Sequence, residues 1–202
     1  MTEQRQARWL GVVLAGGEGR RMGGRDKGAL ELDGALFAER VTGRLRPLCA
    51  GLVVAAPSPP AWMDAVQPAE FVADHLVDDQ PVGPAGGLLA ALAQAGDRFD
   101  GVATAPVDVP NFPADMFAQM ARAAGPDEVV LAQHQGQLHP TFGLWPTRVR
   151  GEVERLVTKK RLRALHRIGQ SLGAVFCEIE APAAALFNVN TPDDLDQLSG
   201  RA

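Results

Sequence analysis

Residues Gly11 to Gly28 read GVVLAGGEGRRMGGRDKG. The apolar start, Val12-Val13-Leu14, suits a buried strand, and it breaks at once into Ala15-Gly16-Gly17-Glu18-Gly19. Arg20, Arg21, a Met22-Gly23-Gly24 turn, Arg25, Asp26 and Lys27 follow. A strand ending in a glycine-rich loop leaves backbone N–H groups unhindered, able to close around phosphate oxygens. Arg20, Arg21, Arg25 and Lys27 outweigh Glu18 and Asp26, adding the positive charge that a triphosphate needs.

Spacing excludes two familiar phosphate loops. The dinucleotide fingerprint requires G-x-G-x-x-G, but Met22 stands where the third glycine belongs. The next strand ends in Ala55-Ala56-Pro57, without the carboxylate that would hold a ribose. A P-loop finishes in Gly-Lys-Ser/Thr, whereas Lys27 lies between Asp26 and Gly28.

Outward from this loop, Phe37, Val41, Leu45 and Leu48 recur at helical spacing and predict a helix within 34–48. Leu52-Val53-Val54 reads as a second strand, 62–66 as a weak helix, and Phe71-Val72-Ala73-Asp74 as a short strand ending on a carboxylate. Gly83-Pro84-Ala85-Gly86-Gly87 then leads into a small-residue helix around 88–93. Its glycines either form an ordinary turn before a helix or admit a planar group such as a purine close to the backbone.

Val102-Ala103-Thr104-Ala105 is a buried strand, and Pro106-Val107-Asp108-Val109-Pro110 follows it. Asp108 is thereby aimed at the crevice beyond the strand ends, where ligands of open α/β sheets bind. Alone it reads as a turn-capping residue or as a Mg²⁺ ligand. Residues 114–124 suggest a helix, Val129-Val130-Leu131 a strand, and 139–145 a return strand antiparallel to its neighbours. His139 is either structural or a substrate contact.

Two amphipathic helices are expected from Val149 to Val157 and from Leu162 to Leu172, with Lys160, Arg163 and Arg167 along one face of the second. Those charges are either solvated or meet an anionic substrate. Val175-Phe176 and Leu186-Phe187 are the last strand candidates. In Phe187-Asn188-Val189-Asn190-Thr191-Pro192-Asp193-Asp194, Thr191 suits a helix N-cap, Pro192 the first turn, and the aspartates the positive helix start. Helix capping does not account for Asn188 and Asn190, whose amides suit a polar heterocycle or its phosphate.

The chain has 202 residues, 46% hydrophobic and 22% charged, with a formal net charge of −4. These values describe a globular chain and give no bulk attraction to nucleic acid. Eight basic residues cluster between Arg148 and Arg167, opposed by Glu152 and Glu154, so an anionic partner would be met locally. Cys49 and Cys177 are isolated and read as core thiols of a reducing compartment. Residues 1–9 lack a signal-peptide core and no run has the length of a membrane span, so a cytoplasmic location is expected. Strand-helix alternation without repeat or linker predicts one α/β domain over 1–202.

The string from Leu14 to Gly28, LAGGxGxRMGGxDKG, resembles the signature of the sugar-nucleotide type of nucleotidyltransferase. Gly23-Gly24 and Asp26-Lys27-Gly28 make it most similar to the molybdenum cofactor guanylyltransferases. Further resemblances lie at 74–87, 105–110, 139–141 and 187–195. They imply a Rossmann-like three-layer sandwich of the nucleotide-diphospho-sugar transferase type, mostly parallel with one antiparallel strand. Residues 9–110 would bind nucleotide, and 111–202 the pterin acceptor.

The implied reaction moves GMP from GTP to the terminal phosphate of molybdenum-molybdopterin, with Mg²⁺ as cofactor and pyrophosphate released. Leu14, Ala15 and Gly16 would hold the base and ribose, and Gly17 to Arg21 the triphosphate. Arg21 and Lys27 would neutralise charge, and Asp108 would bind the metal. Asp74 and Gly87 would contact the nucleotide, with His139, Arg163, Arg167, Asn188 and Asn190 receiving the acceptor. Molybdenum-insertion proteins, apo-molybdoenzymes or their chaperones are the implied protein partners; nucleic acid and membrane are not. One departure concerns the base: family members commonly carry an asparagine where this chain has Ala55. A cytidylyltransferase of the same class and a non-catalytic nucleotide sensor are the competing readings; retention of both Lys27 and Asp108 disfavours the sensor.

Overall fold

The structure, a computed structural model, describes residues 7–16 and 26–199. The order in the chain begins with strand β1 (Trp9–Leu14), a short 3₁₀ turn at Lys27–Ala29, and the two-stranded ribbon β2 (Glu31–Leu32) and β3 (Ala35–Leu36). Helix α1 (Phe37–Leu45), β4 (Cys49–Ala56), β5 (Glu70–Ala73), and a second ribbon of β6 (Leu76–Val77) and β7 (Gln80–Pro81) follow. Then come α2 (Pro84–Ala95), β8 (Gly101–Pro106), α3 (Met116–Ala123), β9 (Val130–His134) and β10 (Gln137–Pro146). The chain finishes with α4 (Arg150–Thr158), α5 (Leu165–Ser171), β11 (Val175–Glu178) and α6 (Pro192–Ser199).

Seven strands form one sheet in the order β11-β9-β10-β8-β1-β4-β5. β1 pairs in parallel with both β4 and β8, while β10 runs antiparallel to its neighbours β8 and β9. β5 and β11 extend the two edges in parallel. This is the expected mixed α/β sheet. β1 sits inside because every one of its residues is buried, which suits a strand covered by helices on both faces.

Alternation along the strands separates two layers of core. Trp9 and Val13 face the side covered by α1 and α3, with Phe112, Phe142 and Met116. Leu10, Val12 and Leu14 face the opposite side, where Leu88 and Leu92 of α2 pack with Val153 of α4 and Ile168 of α5. A smaller cluster joins Leu30, Leu32 and Phe37 to Val189 and to Leu198 of α6. It brings the end of the chain back against the segment that follows the glycine loop.

Four sequence expectations need correction. The helix predicted over 34–48 is shorter, because Asp33 and Gly34 adopt φ of 49° and 76° and close the β2–β3 hairpin. Leu186-Phe187 is not a strand; Leu186 is buried by side-chain packing in the larger core instead. Asn188 and Asn190 therefore lie in irregular chain before α6, not at a strand end. Lys160 and Arg163 precede α5 and do not share a helical face with Arg167. Arg161, at φ 57°, interrupts the helical path between α4 and α5. Among the described residues, no helix is long and apolar enough to cross a membrane.

Candidate active site

The strand order reverses at β1: the chain proceeds from β1 to β4 and β5 on one side, then returns to β8 on the other. A crevice opens at such a point beyond the carboxyl ends of the strands. The last ladder bonds mark its floor, with Ala15 N donating to Ala55 O at 2.8 Å and Val107 N to Leu14 O at 3.1 Å. The pocket there is lined by Leu14, Ala15, Gly16, Lys27, Ala55, Asp74, Gly87 and Asp108, among others. Elements distant in sequence thus gather the proposed nucleotide-binding residues at one place. Gly17 and Arg21 lie outside the described residues.

Asp74 is the first residue past β5, fixed by its N–H to Ala56 O at 3.0 Å. Its carboxylate presses on Gly16, where a Cβ would stand 2.5 Å from Asp74 Oδ2; any other residue there would displace the carboxylate. On its other side Gly87 is equally close-packed, with a Cβ falling 3.2 Å from Asp74 Oδ1 and 2.9 Å from Leu14. Burial pushes the Asp74 carboxyl up to about 6. Gly83 and Pro84 also line the pocket, so α2 begins at its wall and directs its positive end there.

Lys27 crosses the mouth. Its Nζ donates to Asp108 Oδ2 and to Asn190 Oδ1, both at 2.7 Å. The side chains of Lys27 and Asp108 are only 13% and 19% exposed, so the pair is largely shielded from water. Lys27 is held there by its neighbours. Asp26 Oδ1 accepts from Gly28 N at 2.9 Å, capping the short turn, and Asp26 Oδ2 accepts from Trp62 Nε1 at 2.8 Å. A Cβ on Gly28 would stand 2.3 Å from the Trp62 ring. The Asp-Lys-Gly triplet therefore has two anchoring residues around one ammonium that faces the pocket.

A second pocket abuts the first. His134, Gln137, His139, Thr141, Phe187 and Asn188 contribute to its lining, and Thr141 and Asn188 line both pockets. Burial, and then the nearby His134, hold the His139 imidazole below its ordinary pKa, favouring the neutral ring. Arg163 and Arg167 are exposed and line neither pocket, which removes the reason for assigning them to the acceptor. Sequence reasoning passed over Thr141 and Trp62. The first was legible from its place after His139-Pro140; nothing in sequence ties Trp62 to Asp26.

Asp108 and Asp74 suit a hard divalent cation shared with phosphate oxygens. Among the described residues Asp74 has no side-chain hydrogen bond, leaving a half-buried carboxylate that a cation would satisfy. No three His, Cys, Asp or Glu side chains assemble into a cage among those residues.

A mixed α/β sheet with a charged crevice at its switch point, a lysine bonded to a carboxylate across it, and an adjoining second pocket belongs to the nucleotidyltransferase class of enzymes. The family model for the MobA-like NTP transferase domain matches residues 11–175. The molybdenum cofactor guanylyltransferase of Cereibacter sphaeroides is 37% identical over 189 residues, covering 93% of this chain and 94% of its own. The chain belongs to this guanylyltransferase family. Its fold is also that of molybdopterin-guanine dinucleotide biosynthesis protein A from Archaeoglobus fulgidus, with a TM-score of 0.74, 23% identity, and 95% and 97% of the two chains covered. A Mycobacterium tuberculosis protein crystallised in complex with manganese gives a TM-score of 0.69 at 19% identity, covering 96% of this chain and all of its own (100%).

Proposed function

We propose that this enzyme transfers GMP from GTP to the terminal phosphate of molybdenum-molybdopterin, forming the guanine dinucleotide cofactor and pyrophosphate. The observation that carries the reading is Lys27 bonded at 2.7 Å to Asp108, at the mouth of a pocket continuous with a second one. Membership of the guanylyltransferase family supplies the choice of substrates.

In this reading the first pocket takes GTP. Leu14, Ala15 and Gly16 approach the nucleoside through backbone atoms, Gly17 to Arg21, which lie outside the described residues, would contact the triphosphate, and Asp74 and Gly87 form the opposite wall. The second pocket takes the pterin, with His139, Thr141 and Asn188 as its polar contacts. An oxygen of the pterin's terminal phosphate attacks the α-phosphorus in line. The bond from that phosphorus to the α,β-bridging oxygen breaks, and its electron pair leaves with pyrophosphate. Both reactants are anionic, so alignment and charge neutralisation supply the rate, without a covalent enzyme intermediate. Lys27 moves its positive charge onto the phosphates. Asp108, assisted by Asp74, would hold Mg²⁺, which when bound offsets phosphate charge and eases departure of the leaving group.

Residues 9–110 then serve the nucleotide and 111–202 the acceptor, with Asn190 reaching back to Lys27. The cytoplasm, where the thiols of Cys49 and Cys177 stay reduced, is the proposed compartment. The test is pyrophosphate release with Mg²⁺ and molybdopterin, comparing GTP, CTP and ATP. Release with GTP well above the others supports the reading. Preference for CTP would instead make the chain a cytidylyltransferase, and no release with any of them would favour a sensor.

A further inference from the structure

Asn190 does not face the second pocket's lining; its side-chain oxygen is taken by Lys27 Nζ at 2.7 Å. Its backbone is held just as firmly. Asn190 N and Thr191 N both donate to Asp194 Oδ2 at 2.8 Å, while Asp194 N donates to Thr191 Oγ1 at 3.2 Å. This is a capping box at the start of α6, extended by one residue toward the site. Val189 and Leu198, buried against Leu30, Leu32 and Phe37, pin the whole unit to the chain that carries Lys27. The Asp194 carboxyl lies below its usual range, through the Asn190 N–H first and the Thr191 hydroxyl and N–H next.

We propose that Asp194 is a positioning residue for the transfer reaction, acting through Asn190 to place the Lys27 ammonium over the leaving phosphates. The inference rests on the reading of Lys27 as the group that neutralises them. Asn190 is then part of the same relay and not an acceptor contact. The capping box has two halves with different jobs. Thr191 Oγ1 serves the helix, whereas the two bonds accepted by Asp194 fix the backbone that presents Asn190.

Three variants separate these roles. Asp194→Ala removes the bonds to Asn190 N and Thr191 N; Asn190→Ala removes one of the two acceptors of Lys27, leaving Asp108 and the whole cap in place; Thr191→Ala removes only the helix-directed half. Misplacing a reacting group by a fraction of an ångström to 1 Å costs about 10- to 100-fold in rate. We expect kcat losses of about that size for Asp194→Ala and Asn190→Ala, with the KM for molybdopterin unchanged and Thr191→Ala close to wild type. Asp194→Asn, whose amide oxygen accepts the same two N–H groups, should restore most of the rate. Independently of turnover, amine labelling of Lys27 followed by mass spectrometry should be several-fold faster in the two damaging variants. Should Asp194→Ala fail to fold, Asn190→Ala and its Lys27 labelling decide the matter. Equal losses in Thr191→Ala and Asp194→Ala, a raised molybdopterin KM with intact kcat in Asn190→Ala, or unchanged Lys27 labelling would each overturn the relay. Absence of turnover in the wild type would overturn the proposed function instead, and the labelling comparison would still stand.

Discussion

Lys27 has two acceptors and is largely enclosed. Such an ammonium matters more to a charged transition state than to the folded chain. Lys27→Ala should lower turnover by about 10²- to 10³-fold, the usual scale for one lost charge-stabilising donor. Its cost in stability should be about 1–3 kcal/mol, measured by denaturant titration, because the Asp108 and Asn190 acceptors are left without their donor in a largely shielded place. Asp108→Ala should abolish Mg²⁺-dependent turnover and leave the circular dichroism spectrum intact; surviving Mg²⁺ dependence would place the metal elsewhere. Asp74 gives a pH signature. Its folded pKa of about 6 exceeds its ordinary 3.8, so the folded state holds the proton more tightly. Its contribution favours folding below pH 3.8 and is lost as pH rises through 6. Asp74→Asn should therefore raise Tm at pH 7, with the gain vanishing below pH 4, while weakening binding of Mg²⁺-GTP. A Tm no higher than wild type at pH 7 would show that the carboxylate is not desolvated. Ala55, fully buried in the pocket floor beside Gly87, leaves the base to be recognised by groups other than this side chain.

Elements carry a different lesson, since what the sequence made legible was regular structure buried on both faces. Val12-Val13-Leu14, Leu52-Val53-Val54 and 102–105 announce their strands because they are short, rich in β-branched residues and bounded by Gly and Pro. The short turn at Lys27–Ala29 has no such periodic signal. It exists because Asp26 caps it, Trp62 holds Asp26, and Gly28 leaves room for the ring. Gly28→Ala should accordingly destabilise the fold by about 1–3 kcal/mol through overpacking, read as a lowered Tm. A neutral outcome would mean that the indole moves freely. Leu186-Phe187 misled for the converse reason: apolar pairs are also buried by irregular chain when core side chains surround them. The basic stripe of Lys160, Arg163 and Arg167 failed because regular spacing has structural meaning only inside one helix.

At the scale of the whole molecule, the switch point at β1 collects groups that no sequence window contains. Gly16 follows β1, Asp74 follows β5, Asp108 follows β8, and Asn190 comes back from the far end of the chain. Asp74 and Asp108 could each be picked out as carboxylates at strand mouths, but the bond between Lys27 and Asn190 required the fold, because it spans 163 positions. The arrangement also joins the two pockets, with Thr141 and Asn188 lining both; in the proposed function the acceptor phosphate meets the nucleotide across them. The most direct test of this account is a crystal structure with Mg²⁺ and a non-hydrolysable GTP analogue. The account predicts phosphates between Gly16, Lys27 and Asp108, with the metal on Asp108; phosphates bound away from Lys27 and Asp108 would contradict it.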